Sequence, residues 1–147
     1  MRPNRILQLL LDNRAATRRV EMIRNDATNE ATLYLYDAIV SDTMMEEWGY
    51  GVSAQTLVPQ IRDIAGGTLH LRINSPGGDV FAGQAIAQAV RDCKAHVVVH
   101  VDGVAASAAS VVAIAAAEIE IAEGGFFMVH QSSTMCWVCE SDLLETA

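Results

Sequence analysis

From residue 68 onward the chain repeats one unit, an apolar strand followed by a turn and a helix, and this repeat limits the fold more than any other feature. Thr68 to Ile73 reads as a strand, Asn74-Ser-Pro-Gly-Gly78 as a tight turn, and Asp79 to about Cys93 as a helix with Val80, Ile86, Ala87 and Val90 on its apolar face. His96 to Val101 reads as a strand, Asp102-Gly103 as a turn, and Ser107 to Ala117 as a helix of small residues. Glu118 to Ala122 and Phe126 to Val129 read as strands on either side of Gly124-Gly125. Strands and helices alternating at these lengths imply parallel pairing through right-handed crossovers, so the expected fold class is α/β.

The upstream part is less regular. Val20 to Arg24 and Ala31 to Val40, separated by the turn-forming Asn25-Asp-Ala-Thr-Asn29, predict an opening pair of strands. Residues 41–52 read as a polar connection. Ser53 is a candidate N-cap for a helix carrying Leu57, Val58, Ile61 and Ile64, ended by Gly66-Gly67. The 147 residues suit one domain, expected over 20–147 behind a basic extension at 1–19. Aromatic residues are only 5%, so the core must rest on Ala, Val, Ile and Leu. No apolar run reaches the roughly 18 residues of a membrane span, and three cysteines argue against a disulfide scaffold.

The net charge of −8 divides into +4 over residues 1–24 and −12 over the remainder. An acidic body speaks against nucleic-acid binding. The basic head reads as a solvated or disordered extension, or as a contact for nucleic acid, a membrane surface or an acidic neighbour. Ile6 to Leu11 is too short for a secretory signal and Asp12 follows it, so export is not expected and a cytoplasmic location is.

Two turns lie between a buried strand and a helix, where open α/β folds bind ligands. Ser75-Pro-Gly-Gly78 lets backbone N–H groups approach a ligand, though it also reads as a plain turn. In Asp102-Gly-Val-Ala-Ala-Ser-Ala-Ala-Ser110, Ser107 stands where a helix begins, beside N–H groups that can hold an oxyanion. Taken alone, Ser107 also fits an N-cap. His130 follows an apolar strand and is the best-placed base, whereas His70, His96 and His100 fall within strands as packing or solvent-facing residues.

Arg72-Ile-Asn-Ser-Pro-Gly-Gly-Asp79, Gly103-Val-Ala-Ala-Ser-Ala108 and Phe127-Met-Val-His-Gln131, in this order and spacing, resemble the Clp peptidase family of serine proteases. The likeness covers about residues 20–135. Tyr34-Leu-Tyr-Asp37 and Asp79-Val-Phe-Ala-Gly83 resemble its phage and prophage members, which are associated with head maturation. The resemblance implies the crotonase-like spiral of repeated β-β-α units. It implies Ser107 as nucleophile, His130 as general base, and the N–H groups of Gly78 and Ala108 as oxyanion hole. It also implies no cofactor or metal, a polypeptide substrate such as a phage capsid or scaffold protein, and a homo-oligomeric ring. Ser110 has no role in the family.

The family's third catalytic residue is an aspartate some tens of residues beyond the histidine. Only 17 residues follow His130 here, so the resemblance implies that this aspartate and most of the helix joining two rings are missing. Glu140, Asp142 and Glu145 lack the spacing of a replacement. Cys136-Trp-Val-Cys139 offers two thiols and no second pair for zinc. Three alternatives to a Ser–His peptidase stand beside it. One is a truncated subunit that assembles without cleaving. Another is an acyl-CoA enzyme of the crotonase type, which would leave Ser107 and His130 without a role. The last is a Ser–Lys dyad protease, disfavoured because the chain's one lysine, Lys94, stands at a helix end before the serine.

Overall fold

A computed structural model describes residues 22–131. β1 (Met22–Asn25) and β2 (Glu30–Leu35) form the expected hairpin, antiparallel, with Asn29 at φ 55 in the turn. β3 (Ile39–Val40), α1 (Asp42–Trp48) and β4 (Val52–Ser53) follow, then α2 (Ala54–Arg62). Ser53 caps α2 as predicted, its hydroxyl accepting the Thr56 N–H at 3.3 Å. β5 (Thr68–Ser75), α3 (Val80–Asp92), β6 (His96–Ala106), α4 (Ala108–Ala113), β7 (Glu118–Ile121) and β8 (Phe126–Met128) complete the order. The sheet runs β1-β2-β5-β6-β7, with every pair beyond the hairpin parallel. The α/β class is therefore observed directly.

The strands pair in two successive ladders. Val98–Val101 of β6 lie against β7, whereas Val104–Ala106 lie against β8. A register shift between Ile73 and Ser75 marks the same step one strand back, after which Ser75 pairs with Ala105. One unit earlier, Ile39 bridges Gly78. Each unit thus lays one segment in the main sheet and a short one in a second ladder before its helix begins, which is the β-β-α spiral. In consequence, the short segments and the helix starts gather at one end of the sheet.

Alternation along the strands separates the two faces. Leu33, Leu35, Leu69, Leu71, Ile73, Val97, Val99 and Val101 are buried in one core with Leu57, Ile61, Ile86, Val90 and Val112 of the helices. Each fully buried Leu or Ile contributes about 1.5–3 kcal/mol by leaving water. The opposite face is polar. Arg72 donates to both carboxylate oxygens of Asp102, from Nε at 2.8 Å, and the Tyr36 hydroxyl donates to the same carboxylate. Burial, then the bond to Asp102, raises the Tyr36 pKa, and the bond to Asp102 raises that of Arg72. His70, His96 and His100 lie on this face too. His100 bridges His70 (2.9 Å) and Glu120 (2.8 Å), and His96 pairs with Glu118 at 3.2 Å. Among the described residues no helix is long and apolar enough to cross a membrane.

Candidate active site

At the junction of β6 and α4, Ser107 has φ 53 and ψ −121, a conformation strained for any residue with a side chain. Its hydroxyl makes no capping bond, so the N-cap reading fails. The contrast is Asp79, a true cap, whose Oδ1 accepts the Ala82 N–H at 2.7 Å. Ser107 Oγ instead lies 2.8 Å from His130 Nε2.

Two sets of bonds hold this geometry. The Ser107 N–H donates to the Met128 carbonyl at 2.9 Å, tying the serine to the strand that ends two residues before His130. The Ser107 carbonyl accepts the N–H groups of Ser110 (3.0 Å) and Val111 (3.4 Å) and the Ser110 hydroxyl at 2.6 Å. Ser110, to which the sequence assigned no role, is 2% exposed and clamps the strained turn from behind.

His130 Nδ1 lies 2.5 Å from the Gln131 carbonyl oxygen. A carbonyl only accepts, so Nδ1 carries the proton of the neutral ring and Nε2 presents its lone pair to Ser107. The serine hydroxyl is then the donor, as general-base activation requires. The tail residues Cys136, Cys139, Glu140, Asp142 and Glu145 lie outside the described residues.

Gly77 and Gly78 approach from the neighbouring unit. Ile39 makes both bridging bonds, donating to the Gly77 carbonyl and accepting from the Asp79 N–H, each at 2.8 Å. In a parallel bridge this turns the N–H of Gly78 to the opposite edge. Gly77 itself abuts Ser107: a Cβ built on it would lie 2.9 Å from Ser107 Cβ and 2.8 Å from the Ala108 nitrogen. Among the described residues, neither the Gly78 nor the Ala108 N–H has a hydrogen-bond partner. Ser107, His130 and Ala108 thus share one site, and Gly78 follows the glycine that packs on Ser107; an N–H without a partner beside a hydroxyl paired with an imidazole can bind an oxyanion as Oγ attacks a carbonyl. Lys94 stands at the far end of β6, which removes the Ser–Lys alternative. The packing of Gly77 on Ser107 and the parts played by Ser110 and the Gln131 carbonyl have no signal in the sequence, because each rests on where a backbone group lies in the fold.

An α/β domain that offers a serine in a sharp strand-to-helix turn, hydrogen-bonded to a histidine, has the layout of a serine hydrolase. The sequence matches the Clp protease family over residues 15–147, and the chain belongs to that family. Among solved structures it is similar to ClpP1 from Listeria monocytogenes and to a point mutant of that protein. Each shows 23% identity and a TM-score of 0.44, over 76% of this chain and 51% of the Listeria chain. The chain therefore spans about half the length of those structures. No curated protein matches the sequence.

Proposed function

We propose that this chain is the core of a Clp-like serine endopeptidase that itself uses no ATP. The observation that carries the reading is Ser107, held at positive φ with Oγ 2.8 Å from His130 Nε2. Oγ attacks the peptide carbonyl while its proton passes to Nε2, and the N–H groups of Gly78 and Ala108 receive the oxyanion. The C–N bond breaks as His130 returns that proton to the leaving amine, leaving an acyl ester on Ser107. Water then attacks the ester and gives a proton to His130, which passes it to Ser107 as the carboxylate product departs. A fluorophosphonate probe should label the full chain and fail to label Ser107→Ala. Label kept by Ser107→Ala and lost in Ser110→Ala would overturn the assignment.

A second reading, an impaired subunit that chiefly assembles, is favoured by one feature: the acceptor for His130 Nδ1 is a neutral carbonyl. Both readings include a homo-oligomeric ring. Ile114, Ile121 and Phe126, each at least half exposed around α4, β7 and β8, support it. Native mass spectrometry at micromolar concentration is expected to show higher oligomers, and monomer alone would exclude them. The motifs at Tyr34–Asp37 and Asp79–Gly83 support a phage or prophage enzyme acting on capsid or scaffold protein in the host cytoplasm. Flanking genes with no capsid or portal protein would remove that origin.

A further inference from the structure

A cavity of about 130 Å³ opens directly off Ser107 and His130. That is well above the roughly 10–15 Å³ needed for one water, and enough for part of a side chain. Val80, Val111 and Val129 supply apolar wall. Two further polar side chains line it, Ser110 and Gln84. The Ser110 hydroxyl is already committed to the Ser107 carbonyl at 2.6 Å. Gln84 lies on α3 one helical turn after Val80, which places both on the same side of the helix. Gln60 donates to the Thr56 carbonyl and Gln88 to Asp92, but the Gln84 carboxamide has no partner among the described residues.

We infer that Gln84 is a specificity-determining residue, and that the cavity takes the side chain of the residue whose carbonyl Ser107 attacks. The inference rests on the serine-peptidase reading. The preferred side chain is neutral, about the size of leucine or glutamine, and bears an amide. A primary amide can both donate to and accept from the Gln84 carboxamide, while its methylenes lie along the valines. A carboxylate or ammonium would leave water for a pocket in which no described residue carries an opposite fixed charge. Gln84 is exposed in the free protein and can turn to solvent when it has no partner, so its preference for an amide over an alkyl chain is expected to be modest, unlike that of a buried polar group.

The test uses peptidyl diphenyl phosphonates with Gln, Leu, Glu or Lys beside the phosphorus, which label the serine at a measurable rate. The full chain should label fastest with Gln, about threefold to tenfold faster than with Leu, and at least tenfold faster than with Glu or Lys. Gln84→Leu should reverse the order of Gln and Leu, and Gln84→Glu should raise labelling by the Lys probe. Gln84 is a surface residue outside the catalytic pair, so both variants should fold and still react with a simple fluorophosphonate. Unchanged rate ratios in variants that still react would overturn the role of Gln84. So would a changed preference confined to the leaving-group side of peptide substrates. Failure of every probe, fluorophosphonate included, would instead overturn the serine-peptidase reading on which the pocket rests.

Discussion

His130→Ala is expected to lower kcat by roughly 10²–10⁴, less than the roughly 10⁶ lost when the histidine of a complete Ser–His–Asp site is removed. The difference follows from the Nδ1 partner. In a complete triad the carboxylate fixes the imidazole tautomer and stabilises the imidazolium formed in the transition state, and its loss costs about 10⁴. The Gln131 carbonyl, 2.5 Å from Nδ1, can do the first of these tasks. Being neutral, it does little of the second. With the tautomer held and the imidazolium left unsupported, the wild-type chain should turn over a small fluorogenic peptide about 10²–10⁴ more slowly than a full triad would, leaving His130 about 10²–10⁴ to lose. The double variant Ser107→Ala/His130→Ala should be no slower than either single one, because the pair acts as a unit. A loss near 10⁶ for His130→Ala would show that a carboxylate does serve the histidine. Asp142→Asn, Glu140→Gln and Glu145→Gln should leave turnover unchanged. If Asp142→Asn abolished it, the tail would be the source of that carboxylate.

How much of this was legible beforehand depended on the range of the interactions. β5 and α3 announce themselves through local period and caps, and the structure places them within about two residues of the sequence reading. Asp102-Gly103 reads as a turn, yet β6 runs through it unbroken. There the Asn74 side chain accepts the Val104 N–H at 3.3 Å, and a Cβ on Gly103 would sit 2.6 Å from Asn74 Oδ1. Gly103 is thus small because Asn74 crosses it, a contact between residues about thirty apart.

α4 stops at Ala113 rather than 117 for a similar reason. Ala115 and Ala116 already make i→i−3 bonds, and the Ala117 N–H pairs with Val97. Neighbouring strands decide that end, whereas propensity in an alanine-rich segment would carry the helix on. α1, and β4 as far as Val52, fall in the stretch that the sequence marks only as a polar connection. β4 has only two residues, held by the Val52 N–H to the Ala38 carbonyl and the Gly51 N–H to Asp37. The candidate site divides the same way: Ser107 and His130 stand out by residue type and position, while each bond that clamps them ends on a backbone carbonyl, of Ser107, Met128 or Gln131, which no side-chain pattern reports.

Gly77→Ala is expected to damage fold and site together. Gly77 has φ +82, where a side chain costs roughly 1–2 kcal/mol. The added Cβ would lie 2.3 Å from the Ala106 carbonyl oxygen and 2.8 Å from the Ala108 nitrogen. Both are backbone atoms of a turn that is already strained, so neither can swing aside as a flexible side chain would. Gly77 cannot retreat easily either: its N–H donates to Ser75 Oγ at 3.1 Å and its carbonyl accepts from Ile39 at 2.8 Å. Overpacking adds about 1–3 kcal/mol, and the sum should lower Tm by roughly 10 °C or more. Displacing the Ala108 N–H should also lower kcat by about 10²–10³, the usual cost of one lost oxyanion donor. Two control substitutions separate the causes. Gly124→Ala, at φ +79 with nothing within 4 Å, carries backbone strain alone. Gly66→Ala, with open space and no positive φ, should stay within about 0.5 kcal/mol of wild type. If Gly77→Ala melts no lower than Gly124→Ala and keeps its rate of peptide turnover, the contact between Gly77 and the Ser107 turn does not shape the site.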